Sequence, residues 1–93
     1  MRNVLFSVLA MMMLWAHEAA AQEQVFIQVE AQPSLSVTEN RLRDYASILP
    51  DVNGFDLGSG WYGIALGPYD RDEADRLRRT LRAQGLIPRD SYV

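Results

Sequence analysis

Thirteen residues, Val4 to Ala16, form an apolar run broken only by Ser7, behind a start whose single charge is Arg2. With Ala19-Ala20-Ala21 closing the stretch, these residues have the three-part form of a secretory signal peptide cut after Ala21. The run is shorter than the roughly 20 residues a membrane-spanning helix needs; an anchor that stays uncleaved is the alternative. The leader sets the folding problem, because residues 1–21 drop out and the 72 residues 22–93 must build the domain. A chain of that size buries only about 60% of its unfolded surface. No cysteine occurs anywhere in the sequence, which excludes a disulfide scaffold, thiolate zinc sites, thiol nucleophiles and a lipidated anchor. An exported domain of this kind must therefore be held by packing alone.

Loss of the leader removes Arg2, Glu18 and the sole histidine, His17, and leaves 8 arginines against 11 acids. An acidic chain without lysine is a poor electrostatic match for nucleic acid. In residues 24–31, Val25, Ile27 and Val29 alternate with Phe26, Gln28 and Glu30, the pattern of a half-buried strand. Pro33 ends it. Ser36 and Glu39 have capping-box spacing, and Leu42, Tyr45, Ala46 and Leu49 follow at helical spacing, so the sequence predicts a helix over 37–49, closed by Pro50. Residues 51–54 read as a turn into a second strand over 54–57, and Gly58-Ser59-Gly60 as a hairpin connection. Trp61 to Leu66 reads as a third strand that Gly67-Pro68 breaks. Acids at Asp70, Asp72 and Glu73 open a second helix whose apolar stripe is Ala74, Leu77 and Leu81, and Gly85 suits its C-terminal cap. Ile87 to Val93 is expected to add a short last strand, in which Pro88 is confined to an edge or to the first residue.

The order strand, helix, strand, strand, helix, strand predicts an α+β two-layer sandwich. In it a four-stranded antiparallel sheet of ferredoxin-like βαββαβ order carries both helices on one face. The other face is left to solvent, as an antiparallel sheet permits, and is where function is expected.

The residues Phe26-Ile27-Gln28-Val29, a helix, Trp61-Tyr62-Gly63-Ile64-Ala65-Leu66-Gly67-Pro68-Tyr69 and a second, acid-started helix resemble the SPOR (sporulation-related) domain. The likeness covers residues 24–93, essentially the whole chain after the leader. It implies the same architecture and a secreted, periplasmic, noncatalytic domain. The implied ligand is peptidoglycan, in particular glycan strands lacking stem peptides, often at the division site, with division or other envelope proteins as further partners. The chain departs from the family pattern at Glu30, where a glycine is common, at Gly63, where an arginine is common, and near Asn40, where an alanine is expected.

A glycan surface needs an aromatic plate for the apolar side of a sugar ring and amides that pair with hydroxyl and N-acetyl groups. By strand alternation Trp61, Gly63 and Ala65 face outward, as do Phe26 and Gln28. Gln28 and Trp61 are therefore the leading binding candidates, followed by Phe26 and Tyr92, with the small Gly63 and Ala65 leaving room for a polymer to lie flat. Arg76, Arg78, Arg79 and Arg82 read as a solvated helix face tied by Asp72–Arg76 and Asp75–Arg79 pairs. Without histidine, lysine or cysteine after the leader, the serines have no ordinary activating base. Glu30 and Asp90 are the carboxylates a hydrolase would need. The expectation is a monomeric binding domain with no catalytic residue, metal or cofactor; the alternative is an envelope protein–protein module that keeps the fold without binding glycan.

Overall fold

The computed structural model describes residues 23–93; the expected leader and its cleavage point lie outside them. The chain forms β1 (Gln24–Gln32), α1 (Leu35–Ala46), β2 (Val52–Gly58), β3 (Trp61–Asp70) and α2 (Arg71–Ala83). The strands make one antiparallel sheet in the order β1-β3-β2. Ile27, Val29, Ile64 and Leu66 on the sheet, Tyr45 on the last turn of α1, Leu49 just beyond it, and Ala74 and Leu81 on α2 join a single buried core. Both helices therefore cover the same face. The fold is α+β with a three-stranded sheet.

The expected fourth strand is reduced to one residue. Tyr92 exchanges both backbone hydrogen bonds with Gln28, at 2.7 and 3.1 Å, and the pairing goes no further. Pro88 has no N–H to extend it, and residues 88–91 are spent on a turn in which Ser91 N donates to the Pro88 carbonyl (3.2 Å).

The first helix begins earlier than the capping-box spacing suggests. Ser34, not Ser36, is the N-cap, with extended backbone (φ −130°) and its hydroxyl accepting from Val37 N. The Ser34 carbonyl also takes Thr38 N and, at 2.7 Å, the Thr38 hydroxyl. At the other end Tyr45 O accepts from both Ile48 N and Leu49 N, so Leu49 reaches the core from a turn beyond the helix. On α2, Asp70 is the N-cap but makes no side-chain cap bond. Its C-terminus is a Schellman motif: Gly85, at φ +71°, donates to Arg82 O and Leu86 to Leu81 O. The ion pair formed on this helix is Asp75–Arg78 at 3.9 Å, three residues apart, in place of the expected four-residue pairs.

Gly67-Pro68 does not break β3. The register shifts between the Val25 and Ile27 pairs, so the dipeptide, joined by a cis bond, falls in an irregularity where the ladder needs no N–H from Pro68. The strand continues to Asp70. Strand β2 likewise extends past the expected 54–57 at both ends. Only Ser59 and Gly60 separate the Gly58–Trp61 pair, and both have positive φ (55° and 80°), as a type I′ hairpin turn requires.

Candidate binding face

Directly opposed residues of an antiparallel pair share a face, so the register sorts the sheet. Ile27 opposes Leu66, and Val52 and Gly54 oppose Leu66 and Ile64; this is the helix-covered side. Leu42 of α1 packs so closely on Gly54 that a Cβ there would lie 2.8 Å from Leu42 Cδ1. Gln28 and Asn53 flank Ala65 across the other side, and Phe55 opposes Gly63 there. Among the described residues no helix covers that side.

A second register shift, between Gln28 and Glu30, makes Val29 an extra residue in β1. A bulge of this kind resets strand parity. Glu30 therefore opposes the buried Ile64 and points at α1, not outward as alternation alone predicts. There its carboxylate accepts from Arg41 Nε (2.9 Å) and Nη2 (2.9 Å), from the Tyr45 hydroxyl (2.8 Å) and from Gln32 Nε2 (2.8 Å). Arg41 also stacks over the Tyr45 ring, 5.0 Å from its centre. The Arg41 hydrogen bonds hold the Glu30 carboxyl at about 2, against partial burial that pushes the other way. Burial, followed by Glu30, raises the Tyr45 hydroxyl. Tyr69 is raised in the same manner, by burial and by its 2.7 Å bond to Asp51. Glu30 thus ties β1 to α1; it has neither a free oxygen nor the proton affinity of a general acid at neutral pH.

On the uncovered side the chain collects aromatic and apolar groups. Phe26 and Phe55 meet edge to face, with ring centres 5.1 Å apart. They come from the two strands flanking β3, one beside Gly67 and the other opposite Gly63, so they close over Ala65, which is only 1% exposed. Over Gly63 lies the Gln28 amide: a Cβ on that glycine would be 2.8 Å from Gln28 Nε2 and 3.1 Å from Leu57 Cδ1. The expectation that Gly63 and Ala65 form a bare floor for a flat polymer is thus corrected. Both are roofed by neighbouring side chains, and the accessible surface is one layer higher.

That surface is what the four sequence candidates share. Gln28 is half-buried, and its Nε2 donates to the Glu30 carbonyl at 3.0 Å; its amide oxygen accepts no hydrogen bond from the described residues. Tyr92, bridged to Gln28, stands on the same face and is 63% exposed. Trp61, two residues before Gly63 on β3, shares that face by alternation and is 47% exposed. Phe26 is the most enclosed of the three aromatics, at 36% exposed. Beside Gln28 and Tyr92 runs a shallow cleft of about 200 Å³, completed by Ala31, Leu57 and Asp90. Phe55 and Leu57 are not among the sequence candidates, and Asp90 is singled out there only as a hydrolase carboxylate, not as part of a glycan surface. The alternation Phe55-Asp56-Leu57 carries the signal for the first two, since it places both opposite the side of Gly54. Nothing local to Asp90 marks it, because its position follows from the Tyr92 bridge.

The arginines of α2 lie on the helix layer and none lines the cleft. Among the described residues no helix is long and apolar enough to cross a membrane, and no group of three or more acids and histidines could hold a metal ion. Set against protein-family models, curated proteins and solved structures, the chain matches none.

Proposed function

We propose that this chain is exported by its leader to the periplasm and there binds the glycan strands of peptidoglycan without catalysis, through the uncovered face of its sheet. A SPOR-like domain, with the Tyr92 bridge as the remnant of a fourth strand, is part of the same reading. The observation that carries it is the joint placement of Gln28, Trp61 and Tyr92. Exposed aromatic rings offer plates for the apolar sides of sugar rings, and an amide with an unused acceptor oxygen stands between them. Contiguous exposed apolar surface on a small domain is a mark of a binding site. The absence of histidine, lysine and cysteine after the leader and the engagement of Glu30 by Arg41 support a noncatalytic role.

A second reading, an envelope protein–protein module, is favoured by one feature. Leu57, 53% exposed, lies on β2, whose outer edge carries no further strand among the described residues, and an aliphatic group beside such a strand edge suits a polypeptide better than a sugar. Co-sedimentation with purified sacculi, with and without prior amidase treatment, separates the readings. The glycan reading expects retention on both and more on treated sacculi. Retention on neither supports the protein–protein module, and release of soluble muropeptides would contradict a noncatalytic role.

A further inference from the structure

We infer that the cleft beside Tyr92 takes an uncharged N-acetylated sugar, and that Asp90 keeps carboxylate-bearing sugars out of it. The inference rests on the glycan reading and concerns which ring of the strand is held. Peptidoglycan alternates N-acetylglucosamine with N-acetylmuramic acid, whose lactyl group becomes a free carboxylate once the stem peptide is removed.

The cleft's lining contains one carboxylate free to act on a ligand. Glu30 contributes its backbone there, while its carboxylate is bound on the opposite face by Arg41, Tyr45 and Gln32. That leaves Asp90, and none of the lining residues is basic. Its place is fixed from both sides: the turn bond from Ser91 N to Pro88 O lies behind it, and two residues on the Tyr92 backbone is pinned to Gln28 by two hydrogen bonds. Ser91 between them is buried. The remaining groups suit a neutral acetamido sugar. The Gln28 amide oxygen can accept the N–H of an N-acetyl group, the Tyr92 ring can lie against the sugar's apolar side, and Ala31 and Leu57 offer apolar contact for its methyl. A muramic acid carboxylate in the same position would meet Asp90 with no basic residue in the cleft's lining to offset it. The bound strand therefore sits with N-acetylglucosamine in the cleft and the lactyl carboxylates directed away.

Two like charges roughly 7 Å apart in water-like surroundings change binding about threefold, and reversing one of them about tenfold in all. The test uses amidase-treated sacculi with lactyl carboxylates either free or blocked by carbodiimide coupling to methylamine, at low salt, and soluble N-acetylchitohexaose as competitor. The parent protein should bind blocked sacculi severalfold better than free ones, the hexamer should compete on both, and 0.5 M NaCl should shrink the difference. Asp90→Arg should abolish or invert the preference. Glu39→Arg makes the same change of net charge on α1 and should leave the preference standing. Melting curves of both variants should overlay the parent, since both side chains are exposed. Equal parental binding to free and blocked sacculi, or equal effects of Asp90→Arg and Glu39→Arg, would overturn the assignment to Asp90 while leaving glycan binding intact. Failure to bind either form and failure of the hexamer to compete would instead overturn the glycan reading itself.

Discussion

One sheet presents two unlike faces. On the helix side Ile27, Ile64 and Leu66 are wholly enclosed, and even the polar residue, Glu30, is satisfied by four donors. On the other side the largest groups, Trp61 and Tyr92, stand about half exposed or more, and the Gln28 amide is left with acceptor capacity to spare. Burial of apolar area contributes about 25 cal/mol per Å², so the first face carries most of the stability of this small domain. Little fold stability rests on the second, which is free to be shaped by a ligand. The two are separated by a single strand's thickness, and a substitution should affect stability or binding according to the face it touches.

The largest effect should come from the covered face. Leu66→Ala opens a cavity in the centre of the core and should cost about 2–5 kcal/mol, which a domain of this size has little margin to absorb. Leu57→Ala, the same chemical change on the uncovered side, should cost under about 1 kcal/mol. Paired chemical denaturation curves check this; similar losses for both would erase the distinction between the faces.

Next comes the Glu30 tie. Its carboxyl is held at about 2 rather than the ordinary 4.5, so it binds a proton more readily in the unfolded chain. Its contribution is complete above pH 4.5 and fades as pH falls toward 2. With Glu30 15% and Arg41 41% exposed, solvent screening limits that contribution to about 1–2 kcal/mol. Glu30→Gln should lower the melting temperature at pH 7 and flatten the profile between pH 4.5 and 2, while sacculus binding is unaffected. A variant whose profile parallels the parent's would show that other carboxylates govern the acid limb.

Glu30 also marks where the sequence stops being legible. Alternation in 25–29 and 61–66, the helix stripes and the Gly85 cap are local signals, and they suffice for the three main strands, the helices and the identity of the covered face. A bulge has no comparable signal. It depends on the offset between two strands, so the one extra residue at Val29 turns Glu30 to the helices unannounced. The same holds for Gly67-Pro68, a strand breaker by composition that the register irregularity absorbs. Phe26 and Phe55 close over Ala65 because strands distant in sequence flank β3, and that pairing is equally invisible in a linear reading. The shortening of the last strand, by contrast, is foreshadowed by Pro88.

A smaller effect probes the boundary between faces. Gly63→Ala places a Cβ against the Gln28 amide and Leu57, both flexible ends that can yield, so the fold should lose no more than about 1 kcal/mol. The displaced amide should give up its bond to the Glu30 carbonyl, and sacculus binding should weaken about two- to fivefold. Unchanged binding would mean that the position of the Gln28 amide does not matter to the ligand.

If the uncovered face binds and does not hold the fold, two substitutions on it should separate binding from stability. Trp61→Ala and Gln28→Ala are each taken through sacculus co-sedimentation and thermal melting in the same buffer. Each removes a stacking plate or an amide worth on the order of 1 kcal/mol in binding, so each should bind about fivefold more weakly while its melting curve stays within a few degrees of the parent's. Binding equal to the parent's in both variants, or unfolding of the domain by Trp61→Ala, would contradict the claim.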